Sequence, residues 1–425
     1  MNQNESSLTG NNYVLLFIIS LLTVVYLIAE HSRFGDFTVF LDAGKRLGTG
    51  ENIYTYNELN YFKYYYSPAF ALFLSPLSAF DYTITVLFWK AFNIFLFYRL
   101  WKHLENKFLD FSVFTKTQKN IIQLVMFLSI LTFISGTFHM VQMSVFLLYV
   151  MVEGTFLIVN KKKVLLGALL LAIAINIKIM PIVIVPYLIY RRAFSSVGLI
   201  FAFTLLLIFI PTFFIGSDYN QFLHAEWWDS INPLNKEHIL DVNERGFHSL
   251  SALFGSLFTE NLGNSSNLQI KRNILNLDLT SIEYLLNGVR LVLVLYTMRV
   301  LKFPIFSKIK SNLQLFYELS YLLIITPLIF PHQQVYGFLL VFPAFAYVIY
   351  NVSLEWIISK KLNLRMILLV IALLISNCII LLGFMREELY HFKVSTYGVL
   401  LMLALLIMYP ISVCKNNMAS LKKES

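Results

Sequence analysis

Residues 196–215 read SVGLIFAFTLLLIFIPTFFI, twenty positions without a charged side chain. A helix needs about 17–25 largely apolar residues to cross a bilayer, so this stretch is long enough to span one. The rest of the chain has a similar composition, because 58% of its 425 residues are hydrophobic and only 13% are charged. Soluble domains carry about 25% charged residues. The sequence therefore predicts an all-α, polytopic integral membrane protein.

Apolar stretches of this kind recur along the chain, and twelve of them can be separated. They predict a bundle of about 12 transmembrane helices that forms a single integral-membrane domain over residues 1–425. The first stretch lacks the basic n-region and the cleavage site of a signal peptide, so we expect it to remain as a span. Pro181 separates the short fifth and sixth stretches, which are also compatible with a broken or re-entrant pair. The predicted spans are Tyr13–Ala29, Tyr82–Leu100, Ile121–Gly136, Gln142–Val159, Val164–Ile177, Ile179–Tyr190, Ser196–Ile215, Ile282–Arg299, Leu315–Phe330, Val335–Tyr350, Met366–Phe384 and Val394–Val413.

Lys and Arg cluster at alternate ends of these stretches, as expected for cytoplasmic loops. With a cytoplasmic N-terminus, twenty of the 33 basic residues fall on the cytoplasmic side. They lie within Arg99–Lys119, Lys161–Lys163, Arg191–Arg192, Arg299–Lys310, Lys360–Arg365 and Lys415–Lys423. We therefore predict a multi-pass protein of the plasma membrane with cytoplasmic termini. Two long extracytoplasmic loops, residues 31–81 and 216–281, are expected to carry short helices. The net charge of +9 then reflects topology, and no nucleic-acid partner is expected.

The sequence carries no recognisable cofactor or metal motif. We find no P-loop, no zinc-ligand spacing and no Gly-rich dinucleotide fingerprint, so we expect neither cofactor nor metal. The two cysteines, Cys378 and Cys414, fall in or beside predicted spans. They are interpreted as packing residues, because two such positions imply no disulfide framework.

Asp36 is the most prominent polar residue of the first outer loop. It follows Gly35 and opens a stretch of helical periodicity, which suits a helix N-cap. Its place just after a membrane span, at the outer interface, also suits a functional carboxylate. Asp42 is the competing carboxylate, and its spacing directs it to a different face of the helix. The tyrosine-rich stretch Tyr54–Tyr66 suits an interfacial aromatic belt or a sugar-binding wall, and its composition favours the belt.

Polar residues also occur in three short outer turns. Gln142 lies between the third and fourth spans, and Lys178 lies where two short spans meet. A lysine in an apolar run is costly unless it snorkels or has a partner, so Lys178 either reaches the outer headgroups or holds a phosphate. His332 and Gln333 follow Pro331 late in the chain. A buried histidine usually bonds a backbone carbonyl, but the Pro-bounded turn on the outer face favours a functional interpretation.

The second outer loop contains Arg245 shortly before a helix that we expect to be capped near His248 or Ser249. Arg245 is compatible with binding a polar ligand or with bonding loop carbonyls. Trp227 and Trp228 are compatible with a simple interfacial anchor.

Taken in order, these residues resemble the GT-C superfamily of multispanning glycosyltransferases, and more narrowly glycosyltransferase family 87 with its alpha-1,2-mannosyltransferases. The resemblance covers most of the chain. The matching features, in chain order, are Asp36–Phe40 with Ala43-Gly44, Gly50 and Tyr54; Tyr65-Tyr66-Ser67-Pro68 with Pro76; Lys178–Pro181; His248-Ser249-Leu250-Ser251; and Thr326-Pro327 with His332-Gln333.

The sequence departs from the family pattern at three places. The expected Gly-Gln-x-Asn reads Val141-Gln142-Met143-Ser144, the second His of the late pair is Gln333, and the first Pro of the aromatic-Pro-Pro motif is Ser67. These departures concern the sugar and the acceptor rather than the fold.

The resemblance implies a GT-C-type bundle and an inverting transfer of a hexose, expected to be mannose, on the extracytoplasmic face. The donor would be a polyprenyl-phosphate sugar and the acceptor a lipid or glycan, with membrane lipids as the other partners. The resemblance places the general base on Asp36 and puts His332 near the reacting groups. Lys178 and Arg245 are candidates for balancing phosphate charge. The remaining candidate substrate-binding residues are Tyr66, Gln142, Gln333 and Asp42.

Two other function classes fit the composition. A lipid or solute transporter or flippase should show polar residues at mid-bilayer depth and paired broken helices, whereas the polar residues here gather at one face. A GT-C-like polysaccharide polymerase or ligase would favour an Arg-rich outer loop, but residues 216–281 contain only Arg245 and Arg272.

Overall fold

A computed structural model of the chain describes residues 35–55, 63–232, 245–260, 268, 270–302 and 306–424. The first predicted span, Tyr13–Ala29, lies outside these residues. The described chain is helical, and its pairing of extended backbone is an isolated antiparallel bridge between Phe247 and Gln334. This confirms the all-α prediction for the part of the chain that the structure describes.

The α-helices are numbered here in chain order. The first seven are α1 (Phe37–Thr49), α2 (Pro68–Leu74), α3 (Tyr82–His103), α4 (Lys116–Leu128), α5 (Leu131–His139), α6 (Ser144–Val159) and α7 (Val164–Ile177). The next seven are α8 (Ile184–Tyr190), α9 (Phe194–Phe209), α10 (Thr212–Ile215), α11 (Ser217–Ile231), α12 (Leu250–Phe258), α13 (Leu279–Leu301) and α14 (Asn312–Ile329). The last are α15 (Phe342–Ser359), α16 (Leu364–Ser376), α17 (Cys378–Leu381), α18 (Arg386–His391), α19 (Val394–Met408) and α20 (Ile411–Glu424). The 3-10 turns are Ser75–Ala79, Phe111–Val113, Met180–Val183, Val335–Val341 and Gly383–Met385, and Leu104–Phe108 is a short π-helix.

Five helices in the described residues are long and apolar enough to cross a membrane, which supports the membrane character of the chain. They are Tyr82–Phe108, Phe194–Ile215, Leu279–Leu301, Asn312–Ile329 and Val335–Ser359. The number rises to seven if two bent pairs, α4 with α5 and the segment Gly383–His391 with α19, each form one span. The predicted count of about 12 is not confirmed.

The difference in count arises because several predicted spans form short helices. The helix α7 has the predicted bounds, yet it contains only 14 residues. The stretch that follows it is divided into the 3-10 turn Met180–Val183 and the seven-residue α8. A straight span needs about 17–25 residues, so each of these helices is too short to form a straight span by itself. The chain is broken where Pro181 predicted a break.

The late helices form the centre of the bundle. In the most apolar window of Val335–Ser359, 94% of the residues are buried, whereas the corresponding share for Phe194–Ile215 is 11%. The exposed side chains of the latter are mainly large and apolar, including Phe201 and Phe209. An apolar helix with so little protein cover is typical of a lipid-facing position. Cys378 and Cys414 are buried and unbridged, as predicted for packing residues.

A buried ion pair joins α8, α13 and α14 at the end of the bundle that carries Arg191. The side chains of Arg191 and Glu318 are each only 1% exposed. Arg191 Nε donates to Glu318 Oε2 over 3.0 Å, and Arg191 Nη2 donates to the Leu301 carbonyl over 2.9 Å. Tyr187 and Gln314 donate to the same carboxylate over 2.9 Å and 2.8 Å. These bonds compensate much of the cost of removing two charges from water.

The described residues of 35–81 pack as a small aromatic core. The helix α1 buries Phe37, Phe40 and Leu47 on one face, as its periodicity predicted. Tyr54 and Tyr64 are almost fully buried, and their hydroxyl groups donate to backbone carbonyls. The belt interpretation is therefore wrong for these two tyrosines, because a belt residue keeps its hydroxyl at the headgroups. Residues 56–62 of the same stretch lie outside the described chain.

Candidate active site

Asp36 occupies the N-cap position of α1, as predicted, but its side chain does not act as a cap. A capping carboxylate accepts from a backbone N–H two or three residues later. Asp36 instead has helical backbone angles, φ −70° and ψ −10°, and makes no capping bond with its side chain. Its carbonyl accepts from the amide of Phe40 over 3.3 Å. The carboxylate is therefore directed to other partners.

Gly35 holds Asp36 against the turn between α5 and α6. Its φ of +50° lies in the left-handed region, which favours glycine. A Cβ atom at this position would lie 2.5 Å from the carbonyl carbon and oxygen of Met140. The next amide, that of Asp36, donates to the Met140 carbonyl over 2.9 Å. Glycine therefore permits the close backbone approach that fixes where the carboxylate lies.

Two donors from distant parts of the chain meet on the Asp36 carboxylate. Gln142 Nε2 donates to Asp36 Oδ2, and the Tyr336 hydroxyl donates to the same oxygen over 3.2 Å. Tyr66 donates to Gln142 Oε1 over 3.3 Å. The amide orientation of Gln142 follows from this network, because an ionised carboxylate only accepts hydrogen bonds. Tyr66 and Gln142, predicted as site residues, are thus connected to Asp36.

The surroundings of Asp36 and Lys178 shift the pKa of both side chains. Burial raises the pKa of the Asp36 carboxyl above its ordinary value, while hydrogen bonds from Tyr336 and Gln142 and the charge of Lys178 partly oppose the rise. Burial likewise lowers the pKa of Lys178 to about 8, against the opposing effect of the Asp36 charge. A carboxylate with a raised pKa is better matched to proton abstraction near neutral pH than an ordinary aspartate.

Lys178 is positioned by the break in the chain after α7. The helix ends at Ile177, and the amide of Lys178 donates to the Ala174 carbonyl over 3.0 Å. Next to it on α7, Asn176 Oδ1 accepts from the Ser67 hydroxyl over 2.6 Å. This bond ties the end of α7 to the start of α2, so the predicted Lys178 comes within electrostatic reach of Asp36.

His332 lies on the same late turn as Tyr336 and has a left-handed backbone, with φ of 55°. Its ring is nearly parallel to that of Tyr65, with centroids 6.3 Å apart, and meets the Phe247 ring edge-on at 5.3 Å. Gln333 is buried, and its Nε2 donates to the Pro331 carbonyl over 2.6 Å. The turn therefore contacts both the chain before α2 and the chain before α12.

Two predicted residues are engaged elsewhere. Arg245 forms an ion pair with Glu387, and its guanidinium carbon lies 5.3 Å from the centre of the Tyr390 ring. Asp42 Oδ2 lies 3.9 Å from Arg46 Nη1, so Asp42 faces away from Asp36 as its spacing predicted. The structure thus brings Asp36, Gln142, Tyr66 and Lys178 together and assigns Asp42 and Arg245 other partners. The cap of α12 is Ser249, whose hydroxyl accepts from Ala252, as predicted.

Sequence reasoning missed Tyr336. It is one of 24 tyrosines, and no motif separates it from an ordinary interfacial aromatic residue. Its one distinguishing feature is its position four residues after His332, on a turn that the sequence already marked. Among the described residues, no three His, Cys, Asp or Glu side chains come together as a metal-binding group.

Comparison with known proteins gives one match. The model of the family described as "Glycosyltransferase family 87" matches residues 64–302, which is more than half of the chain. No curated protein and no solved structure matches.

Proposed function

The chain belongs to glycosyltransferase family 87 and is a membrane glycosyltransferase, and from this premise we propose that it uses a polyprenyl-phosphate-linked sugar as donor. The sugar is a hexose, with mannose expected, and the acceptor is a lipid or a glycan. The observation that carries the proposal is the Asp36 carboxylate, which does not cap its helix and is held by Gln142 and Tyr336. A carboxylate in this state suits a general base.

In the proposed reaction Asp36 accepts the proton of the acceptor hydroxyl while the hydroxyl oxygen attacks the anomeric carbon. The bond between that carbon and the phosphate oxygen breaks, and its electron pair leaves with the polyprenyl phosphate. The sugar is transferred with inversion, because attack and departure occur on opposite faces. Phosphate is already a good leaving group, so besides the base Asp36 the chain needs to supply only charge balance and orientation.

Lys178 is the group that we assign to the phosphate. It is the cation that acts on Asp36 electrostatically, so a phosphate beside it would lie close to the base. His332 is assigned to holding the phosphate or orienting the acceptor, because it lies on the turn that supplies Tyr336. Gln142 and Tyr66 are assigned to fixing the base rather than to binding substrate, since their amide and hydroxyl groups form the network behind Asp36.

We place this site on the extracytoplasmic face of the plasma membrane, in a single domain of about 12 spans with cytoplasmic termini. The helix α7 supports the orientation. It follows Lys161–Lys163, and its other end leads directly to Lys178. Basic clusters favour the cytoplasmic side, so we assign Lys161–Lys163 to that side and propose that α7, although shorter than a straight span, carries Lys178 towards the outer face. A site at this interface also suits a donor whose lipid tail remains in the bilayer.

We expect purified protein to transfer sugar from a polyprenyl-phosphate mannose without any nucleotide sugar and in the presence of a metal chelator. Radiolabelled donor and a membrane lipid extract as acceptor source provide the assay. Transfer that requires a nucleotide sugar directly would contradict the proposed donor. Movement of a labelled lipid across proteoliposomes without any glycosylated product would favour a flippase instead.

Gly35→Ala is expected to lower transfer by about 10- to 100-fold, because small misplacements of a reacting group can cost about that much. The added methyl group would meet the Met140 backbone at 2.5 Å and displace Asp36. Initial rates of the purified variant, measured beside the parent, test this. Gly50→Ala is the matched control, since Gly50 also has a positive φ of 79° but no atom of the described residues within 4 Å of its Cβ position. Equal losses in both variants would show that backbone strain alone, and not the contact with Met140, causes the effect.

A further inference from the structure

The two donors to the Asp36 carboxylate both bind the same one of its two oxygens. Gln142 Nε2 and the Tyr336 hydroxyl both donate to Oδ2. A carboxylate oxygen has two lone-pair directions, so two donors satisfy Oδ2. Among the residues that the structure describes, both donors to this carboxylate bind Oδ2, so Oδ1 is the oxygen whose lone pairs remain for a ligand.

The donors are themselves fixed from outside the site. Tyr66 donates to Gln142 Oε1, which holds the amide of Gln142 in one orientation. The Thr137 hydroxyl donates to the Tyr336 carbonyl over 3.3 Å, which ties the Tyr336 backbone to α5. Beside it, the Cβ position of Gly136 lies 3.6 Å from Tyr336 Cβ. Tyr336 is thus packed against the same helix whose C-terminal turn binds Asp36.

We propose that Tyr336 is a positioning residue for the base: together with Gln142 it fixes Asp36 through Oδ2 and reserves Oδ1 for the proton of the acceptor hydroxyl. This inference rests on the proposed function and adds which oxygen reacts and which side chain orients it. The proton passes from the acceptor oxygen to Oδ1 as the new glycosidic bond forms. The electron pair of the breaking bond departs with the phosphate.

Tyr336→Phe removes one donor to the carboxylate and keeps the ring. A hydrogen bond to the ionised form lowers the pKa of an acid, so its loss should raise the pKa of Asp36. The base is inactive when protonated, and the acid limb of the pH–rate profile should therefore move to higher pH by about one unit. Lys178, whose charge acts on Asp36, is the same in the parent and in the variant. The Tyr66 hydroxyl faces Gln142 and is unchanged by the substitution.

The control is Tyr54→Phe, which removes a buried hydroxyl from the same outer region. The Tyr54 hydroxyl donates to the Tyr66 carbonyl over 2.9 Å. This variant can lose stability, but its acid limb should stay in place. A uniform loss of rate at every pH in Tyr336→Phe, without movement of the limb, would mean that Tyr336 is merely structural and would overturn the inference.

A second comparison tests whether Tyr336 acts through Asp36. In an Asp36→Asn background the reserved basic oxygen is gone, so adding Tyr336→Phe should change the residual rate less than twofold. A further fall as large as that in the parent would mean that Tyr336 acts on the substrate directly, contrary to the inference.

An activity-independent readout separates this inference from the proposed donor. Infrared difference spectra report protonation of a carboxyl group, and the Asp36 band can be assigned by its absence in Asp36→Asn. The midpoint of that band should rise in Tyr336→Phe and not in Tyr54→Phe, whichever donor the enzyme uses. An unmoved midpoint would overturn the inference even if transfer from polyprenyl-phosphate mannose is confirmed.

Discussion

Asp36→Asn is expected to lower the transfer rate by a factor of about 10² to 10⁴ and to leave folding intact. Asparagine has nearly the same shape and caps helices as well as aspartate does. The Asp36 side chain makes no capping bond, so a loss of capping does not contribute to the effect of the substitution. What the substitution eliminates is the ability to accept a proton at the carboxylate. Transfer kinetics and thermal unfolding of the purified variant measure the two effects separately.

Asp42→Asn is the matched control for this experiment. Asp42 lies on the same helix and has a pKa that burial also raises, but it faces Arg46. We expect this variant to retain most of the parent activity. If Asp36→Asn transfers sugar at close to the parent rate, Asp36 is not the base. Glu226 then becomes the next candidate, since it accepts from Asn52 Nδ2 over 2.8 Å in the outer region.

Glu318→Leu should destabilise the protein by about 3–5 kcal/mol, because it leaves the buried guanidinium of Arg191 without its counter-charge. Both side chains are 1% exposed, so water does not replace the lost partner. The hydroxyl of Tyr187 and the amide of Gln314 lose their shared acceptor at the same time. A marked fall in the unfolding temperature in detergent, together with lower expression, is the expected measurement.

The double variant Arg191→Leu/Glu318→Leu should be less destabilised than Glu318→Leu alone, since it removes both buried charges. Arg365→Met is the control, because the pair between Arg365 and Glu355 spans 3.5 Å and is partly exposed. Such pairs contribute about 0–1 kcal/mol. A double variant that unfolds at a lower temperature than the single one would show that packing, and not the unpaired charge, dominates at this position.

Local features of the sequence predicted the parts of the site that are close in the chain. The pair Gly35-Asp36 signals a turn into a helix, and both residues occupy the predicted places. The bounds of α7 follow directly from its uninterrupted apolar run, which ends before Lys178. These predictions succeed because hydrophobic periodicity and turn chemistry act over a few residues.

The partners that complete the site could not be predicted, because they depend on how distant segments pack. Tyr336 and Asp36 are 300 positions apart, and neither residue type specifies the other. Arg245 was predicted to meet phosphate, yet it pairs with Glu387, which is 142 positions away. The number of spans could not be predicted from the apolar pattern either, since an apolar run does not reveal whether its helix bends or stops.

One departure from the family pattern is explained by backbone geometry. The position that the family pattern fills with glycine is Val141, and its φ is 51°. A β-branched residue in the left-handed region is strained by about 1–3 kcal/mol. The strain is located directly before Gln142, where the chain turns to present its amide to Asp36. The left-handed backbone that a glycine would favour at this position is therefore kept in this chain, although the residue is valine.

Because Asp36 and its second donor are far apart in the chain, the two residues are also synthesised at different times. At about 5–20 residues per second, the 300 positions between Asp36 and Tyr336 correspond to an interval of about 15–60 s. A nascent chain that has emerged beyond Gln142 already has Asp36 and its first donor, but it still lacks the second. Complete orientation of the carboxylate must wait until Tyr336 itself has been translated and inserted. A chain that terminates prematurely before Tyr336 would therefore hold the Asp36 carboxylate through Gln142 without Tyr336.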